Sequence, residues 1–265
     1  STLIKLASGQ LRPSQGRVYI GKHNAWSTAA KRDFGYSPDL DRFYEEMPAR
    51  DFVYTMARLY GYRRREARQR SELALEEVGM TDRAGRRLAG CSHGMRQRIK
   101  LAQALVHDPQ VLLLDEPLNG IDPGGRREIN DLLVKLAERG KTVLVSTHIL
   151  IDVEQLADTI VMISRGRIIA SGTLAEVRSL LEDQPLVVEI VSDRPRELAS
   201  QLAAAAEVHS VEIRGDTLTV KISQPANFFA RVGRLVVEHG FAVERLQTLD
   251  TGADAVFGYL ERGVA

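Results

Sequence analysis

Two adjacent carboxylates, Asp115 and Glu116, follow the apolar run Val111-Leu112-Leu113-Leu114, and an imidazole, His148, follows the next apolar run in "TVLVSTH". Acidic groups at the end of a buried strand are anchored by a rigid core. Adjacent strand residues project to opposite sides, so one carboxylate can bind a metal while its neighbour faces another reactant. An Asp-Glu pair also suits an ordinary loop, and a lone His is commonly structural; here the pair and the His follow two buried strands in close succession. Twenty-three residues before Asp115, "SHGMRQR" opens with Ser92, a helix N-cap whose following free N–H groups and dipole favour an anion. After the carboxylates comes "LNGID", with Asn119, Gly120 and Asp122.

The elements that must position these groups follow from period and punctuation. Residues 1–10 read as a helix, 16–26 as an alternating strand and turn, and 31–42 as a short strand end followed by a Pro/Asp loop. Residues 49–90 carry apolar positions spaced by three and four among many charges, a helical insertion. A helix opens at Ser92 and stops at Asp108-Pro109. "VLLLDEP" is a strand buried on both faces, "RREINDLLVKLAERGK" an amphipathic helix closed by Gly140, and "TVLVSTH" a second buried strand. Strand, helix, strand over about 35 residues is a crossover unit of a parallel sheet. "TIVMIS", the turn "RGR" and "IIASG" read as a hairpin. After Gly172 the order becomes β-α-β-β-α-β, a ferredoxin-like split module with Gly215-Asp216 at its central turn.

Composition bounds the class. The chain has 265 residues, 44% of them hydrophobic, enough for two domains. No run reaches the roughly 18 to 20 apolar residues that span a bilayer, and no signal-peptide layout opens the sequence, so a soluble chain is expected. The single cysteine, Cys91, excludes an internal disulfide framework and fits a reducing, cytoplasmic setting. Residues 1–172 carry 27 Lys and Arg against 21 Asp and Glu, and residues 173–265 carry 9 against 14, which again suggests two units. The basic excess over 58–100 is either a solvated helical face or a surface meeting anionic lipid heads or nucleic acid.

The ordered set "CSHGM…LLLDEP…NGID…STH" resembles the ATP-binding subunits of ABC transporters. It is most similar to the branch serving ABC-2 type permeases, whose signature loops often read Ser-x-Gly-Met. The likeness runs over residues 1 to about 172. It implies a fold: an α/β, P-loop NTPase-like ABC ATPase core over 1–172 with a helical subdomain near 49–100, followed over 173–265 by the small ferredoxin-like α+β domain. "DAVFGYLERG" (254–263) is similar to the short helix that ends many such chains.

Roles carry over by motif position. In the family a Gly-rich loop ending Gly-Lys-Ser-Thr leads into a helix much like "STLIKLASGQ", so Ser1 would offer its hydroxyl oxygen to Mg²⁺ and Thr2 would contact phosphate. The loop itself does not precede Ser1, so we expect the sequence to be part of a longer gene product, with a natural deletion as the alternative. As written it is expected to bind ATP poorly and hydrolyse little. Asp115 would hold the same Mg²⁺ through water, Glu116 would be the general base, and His148 would meet the γ-phosphate and steady the attacking water. Asp39, in "FGYSPD", stands where the family has Gln or Glu; it is either a shorter metal-and-water sensor or a plain turn residue. Ser92 and Gly94 of the signature loop would face the nucleotide of a second subunit, and Asp122 would organise that partner's site.

The implied partners are ATP, Mg²⁺, a second ATPase subunit and a separate integral-membrane permease, with the chain on the inner face of the cell membrane and no nucleic acid expected. Two other readings stay open: a non-transport ABC ATPase acting on nucleic acid or ribosomes, motivated by the Arg-rich stretch, and a non-catalytic binding protein.

Overall fold

The computed structural model describes residues 1–149, 153, 155–179, 185–249 and 257. The chain divides into two compact units, Ser1–His148 and Ile149–Ala265. The hairpin that the sequence reading grouped with the first 172 residues thus lies in the second unit. The tail 254–263 falls, but for Phe257, outside the described residues.

The first unit is organised by three parallel strands in the order β3-β4-β5: Phe34–Ser37, Val111–Asp115 and Thr142–Ser146. The middle strand is the most apolar, and Leu112, Leu113 and Leu114 are essentially inaccessible. Each such side chain contributes about 2 kcal/mol by leaving water, which fixes the strand end that carries Asp115. Before the sheet come α1 (Thr2–Ala7), a two-residue pair β1 (Tyr19–Ile20) with β2 (His23–Asn24), and α2 (Thr28–Asp33). The first helix is shorter than the expected 1–10 because Gly9 turns the chain at φ 70°. Ile4 of α1 packs with Ile20, Ala30, Phe34 and Leu113. Helix α2 was not foreseen; its start is set by Ser27, whose hydroxyl accepts from the Ala30 amide at 3.1 Å.

Between β3 and β4 lie α3 (Ala49–Leu59), α4 (Arg64–Glu77) and α5 (His93–Leu105). In α4 the buried positions Ala67, Ser71, Ala74 and Leu75 recur at helical spacing, while its arginines face outward or pair locally. Helix α5 approaches β3 so closely that a Cβ on Gly35 would sit 2.0 Å from the Ala104 carbonyl oxygen. Only glycine permits that contact. Helix α6 (Pro123–Glu138) joins β4 to β5; Asp122 caps it, Pro123 occupies its first turn, and Gly140 ends it at φ 86°.

In the second unit, β6 (Ile160–Ser164) and β7 (Arg167–Gly172) form the expected hairpin. Arg165 and Gly166 both take positive φ at its turn, as a tight two-residue connection of matching twist requires. Farther along, β8 (Leu186–Ser192), β9 (Val208–Arg214), β10 (Thr217–Ile222) and β11 (Val243–Thr248) make a four-stranded antiparallel sheet in the order β11-β8-β10-β9. Helices Pro195–Ala203 and Pro225–His239 connect its strands, so the β-α-β-β-α-β order of the sequence becomes the ferredoxin-like arrangement. Val188, Ile190, Leu218, Val220, Phe228 and Val232 form its core. No helix among the described residues is long and apolar enough to cross a membrane.

Candidate functional site

The parallel register aligns strand ends: Ser37 lies beside Leu114, and Asp115 beside Ser146. One edge of the sheet therefore collects Asp115, Glu116, Ser146 and, two residues beyond β5, His148. The Asp115 carboxylate is buried, and its Oδ1 accepts from Ser1 Oγ at 2.9 Å and from Ser146 Oγ at 2.6 Å. Among the described residues no donor reaches its Oδ2, although that atom is out of contact with solvent. A buried carboxylate oxygen without a partner is costly. With the neighbouring Ser1 hydroxyl it makes a set of hard oxygen donors of the type magnesium uses, so these residues fit that ion.

Glu116 stands just past the strand with φ 50°. The sequence reading had strand alternation separate the two carboxylates; the separation arises instead from this left-handed residue, which a non-glycine side chain adopts only against a steric penalty. Its amide still donates to the Ser146 carbonyl at 3.1 Å, and its own carbonyl accepts from the Asn119 amide at 3.2 Å. The carboxylate thus rides on a tight turn fastened to β5. His148 Nδ1 donates to Glu116 Oε2 at 2.9 Å. The Glu116 side chain is 18% exposed and that of His148 is 67%, so the pair opens toward solvent from the edge where Asp115 is sealed.

Asp39 lies two residues past β3 at the same sheet edge. Its backbone carbonyl accepts from Lys100 Nζ at 2.8 Å. Tyr36, on β3, reports the local field: burial above all raises its pKa, the negative charges of Asp115 and Asp39 push the same way, and a side-chain hydrogen bond with Gln10 opposes them. Thr2 is exposed at the start of α1.

Ser92, Gly94 and Asp122 form a second group. Ser92 caps α5, its hydroxyl accepting from the Met95 amide. Asp122 caps α6 by accepting from the Gly125 amide at 3.0 Å, and that hydrogen bond leads the causes holding its carboxyl below the usual range. Ile121 Cγ2 lies within ordinary contact distance of a Cβ on Gly94. The turn from Glu116 to Asn119 links this group to the acidic edge.

Sequence reasoning missed two sets of residues here. Ser146 stands in the polar end of "TVLVSTH" without an assigned role; aligning "VLLLD" with "TVLVS" end to end puts it beside Asp115. The second set is the ionic network under Asp39, where buried Lys100 meets Asp41 at 3.0 Å and Arg96 bridges Asp41 and Glu45. Lys100 falls on the buried face of α5, where a cation signals a partner carboxylate.

Comparison with known proteins bears on what these groups do. A family model described as ABC transporter matches residues 1–119. An uncharacterised ABC transporter ATP-binding protein of Synechocystis is 34% identical, over 80% of this chain and 60% of that protein. The linearmycin resistance ATP-binding protein LnrL of Bacillus subtilis is 32% identical over 84% and 72%, and a Nod factor export ATP-binding protein I of Burkholderia thailandensis 34% over 88% and 76%. The matched stretch therefore spans 60% to 76% of the length of these relatives.

Among solved structures, an ATP-binding subunit of an ABC transporter has a TM-score of 0.61 at 28% identity, over 68% of this chain and 76% of that one. A dimeric ATP-binding cassette in a post-hydrolysis state with ADP and Pi shares the fold at 23% identity and TM-score 0.59, over 65% and 79%. These likenesses give no support to the expectation of an inactive chain. With the acidic edge, the Ser92-capped helix α5 and relatives matched over most of their lengths, the chain belongs to the family of ABC transporter ATP-binding proteins.

Proposed function

We propose that the chain binds and hydrolyses ATP to power an ABC-2 type exporter, as one of two ATPase subunits that close on nucleotide and reopen after hydrolysis. The observation that carries the reading is the contact of His148 Nδ1 with Glu116 Oε2 beside Asp115, whose inner oxygen has no partner among the described residues. Asp115 and Ser1 would hold Mg²⁺, with Asp39 near the same edge, and the ion would supply positive charge against the phosphates. Glu116 accepts the proton of the attacking water. His148 meets the γ-phosphate, and its hydrogen bond with the Glu116 carboxylate holds the base in register. Thr2 contacts phosphate. Ser92 and Gly94 face the nucleotide of the second subunit, and Asp122 orders the loop that crosses to it.

Export is favoured by the relatives named for Nod factor export and linearmycin resistance. In this reading residues 1–172 form the ATPase domain, the helical part near 49–100 leans on a separate permease at the inner face of the membrane, and residues 173–265 regulate or stabilise the dimer. Glu116→Gln in the full chain tests the assignment: ATP binding is kept while turnover falls by about 100-fold or more. Undiminished hydrolysis would remove Glu116 from the role.

A further inference from the structure

We propose that His93 is a positioning residue for Glu116, tying the start of α5 to the turn that carries the carboxylate. The inference rests on the ATPase reading above and adds a residue to its machinery. His93 Nε2 lies 2.8 Å from the Asn119 carbonyl oxygen. A carbonyl can only accept, so Nε2 bears the proton. Asn119 closes the turn that begins at Glu116, its amide donating to the Glu116 carbonyl at 3.2 Å, and the Ile121 amide donates to Leu118 at 3.4 Å. The ring thus grips the far end of the turn whose near end is the left-handed Glu116.

Two neighbours show that this seat is shaped for the ring. Gly120 has φ 68°, and a Cβ there would stand 2.8 Å from His93 Cδ2 and 2.9 Å from Nε2. Gln97, one helical turn along α5 and buried, sends Nε2 toward the same Asn119 carbonyl at 3.4 Å, while its Oε1 has no partner among the described residues. A buried amide left half-satisfied is tolerated where it supports another contact. Two donors from α5 therefore converge on one carbonyl. Glu116 needs such support because its backbone sits in a sparsely populated region that relaxes unless its surroundings hold it.

The experiment measures kcat and KM for ATP in the full chain with its permease, beside amide hydrogen exchange over the 116–121 turn. His93→Ala lowers kcat by about fivefold to tenfold, the loss of one hydrogen bond's worth of positioning, with KM for ATP within about twofold. Exchange at Asn119 and Ile121 quickens by a similar factor. His93→Gln, whose amide nitrogen can donate to the Asn119 carbonyl, restores both. Gly120→Ala, which drives the ring from its seat, reproduces the His93→Ala pattern. Unchanged kcat and exchange in His93→Ala would overturn the proposal. So would a Gln variant as impaired as the Ala variant with a matching fall in thermal stability, which marks a purely structural role. A wild type without ATPase activity would overturn the proposed function itself, and the role of His93 with it.

Discussion

Lowering the pH from 7 to 5 should remove about 2 kcal/mol of stability from the first unit through His107 alone. This side chain is 7% exposed, its Nε2 donates to the Phe34 carbonyl at 3.0 Å, and its ring stacks on Tyr60 with centroids 3.7 Å apart. Among the described residues its buried Nδ1 has no partner, so a second proton there would be a bare charge. Burial is the main cause that drives its pKa from 6.5 down to about 4; the hydrogen bond to Phe34 opposes this, and the charge of Arg70 adds to it. The unfolded chain therefore binds a proton near pH 6.5 that the folded chain refuses until about pH 4, and stability falls as pH drops through that window. At about 1.4 kcal/mol per unit the whole interval amounts to roughly 3.4 kcal/mol, of which about 2 is lost by pH 5. That is a large share of a typical total of about 5 to 15 kcal/mol. The assay is urea unfolding at pH 7, 6 and 5, followed by the fluorescence of the sole tryptophan, Trp26, for wild type and His107→Gln. Glutamine can donate to Phe34 without titrating, so the gap between the two proteins narrows by about 2 kcal/mol on acidification. A gap that stays constant between pH 7 and 5 would refute the reasoning.

Other substitutions test the scaffold around the site. Gly35→Ala places a methyl 2.0 Å from the Ala104 carbonyl oxygen; separating α5 from β3 should cost about 3 kcal/mol in chemical denaturation, and a change below about 0.5 kcal/mol would deny the close approach. Ser146→Ala removes the 2.6 Å hydrogen bond to Asp115 Oδ1. A loss of about 2 kcal/mol in thermal unfolding is expected for a buried charged acceptor, and a neutral result would show that Ser146 does not hold the carboxylate. Asp41→Asn leaves buried Lys100 without its carboxylate, so the melting temperature should fall by an amount equivalent to about 3 kcal/mol. If Asp41→Asn is as stable as wild type, Lys100 has another counter-charge.

The parts legible in the sequence are those where periodicity and punctuation agree. Leu112 to Leu114 with the following Asp115 announce a buried central strand. Asp122-Pro123 and Gly140 bracket α6, and Gly215 marks the turn that fixes the order of the ferredoxin-like sheet. Asp115, Glu116 and His148 were readable as a group because parallel strands bring their own ends together. The rest depended on contacts between segments far apart in the chain. Lys100 and Asp41 are 59 positions apart, and nothing local in either segment says that they pair. His93 falls at the unspecified position of Ser-x-Gly-Met, and its partner is a backbone carbonyl, which every residue has and no sequence pattern displays. Helix α2 was too short for its period to show, although Ser27 carried the capping signal. The left-handed turn at Glu116 was hidden for a different reason: strand patterning ends at Asp115, and a glutamate gives no hint of positive φ.

That backbone conformation bears on how the sequence can change. Glycine is at ease at φ 50°, whereas a side chain there costs on the order of 1 kcal/mol. A population selected for heat tolerance alone would therefore tend to replace Glu116 with glycine and emerge sturdier and, under the proposed function, inert. Under the proposed function only selection for turnover keeps an acid at this position, so a library scored for both traits should separate along this one codon.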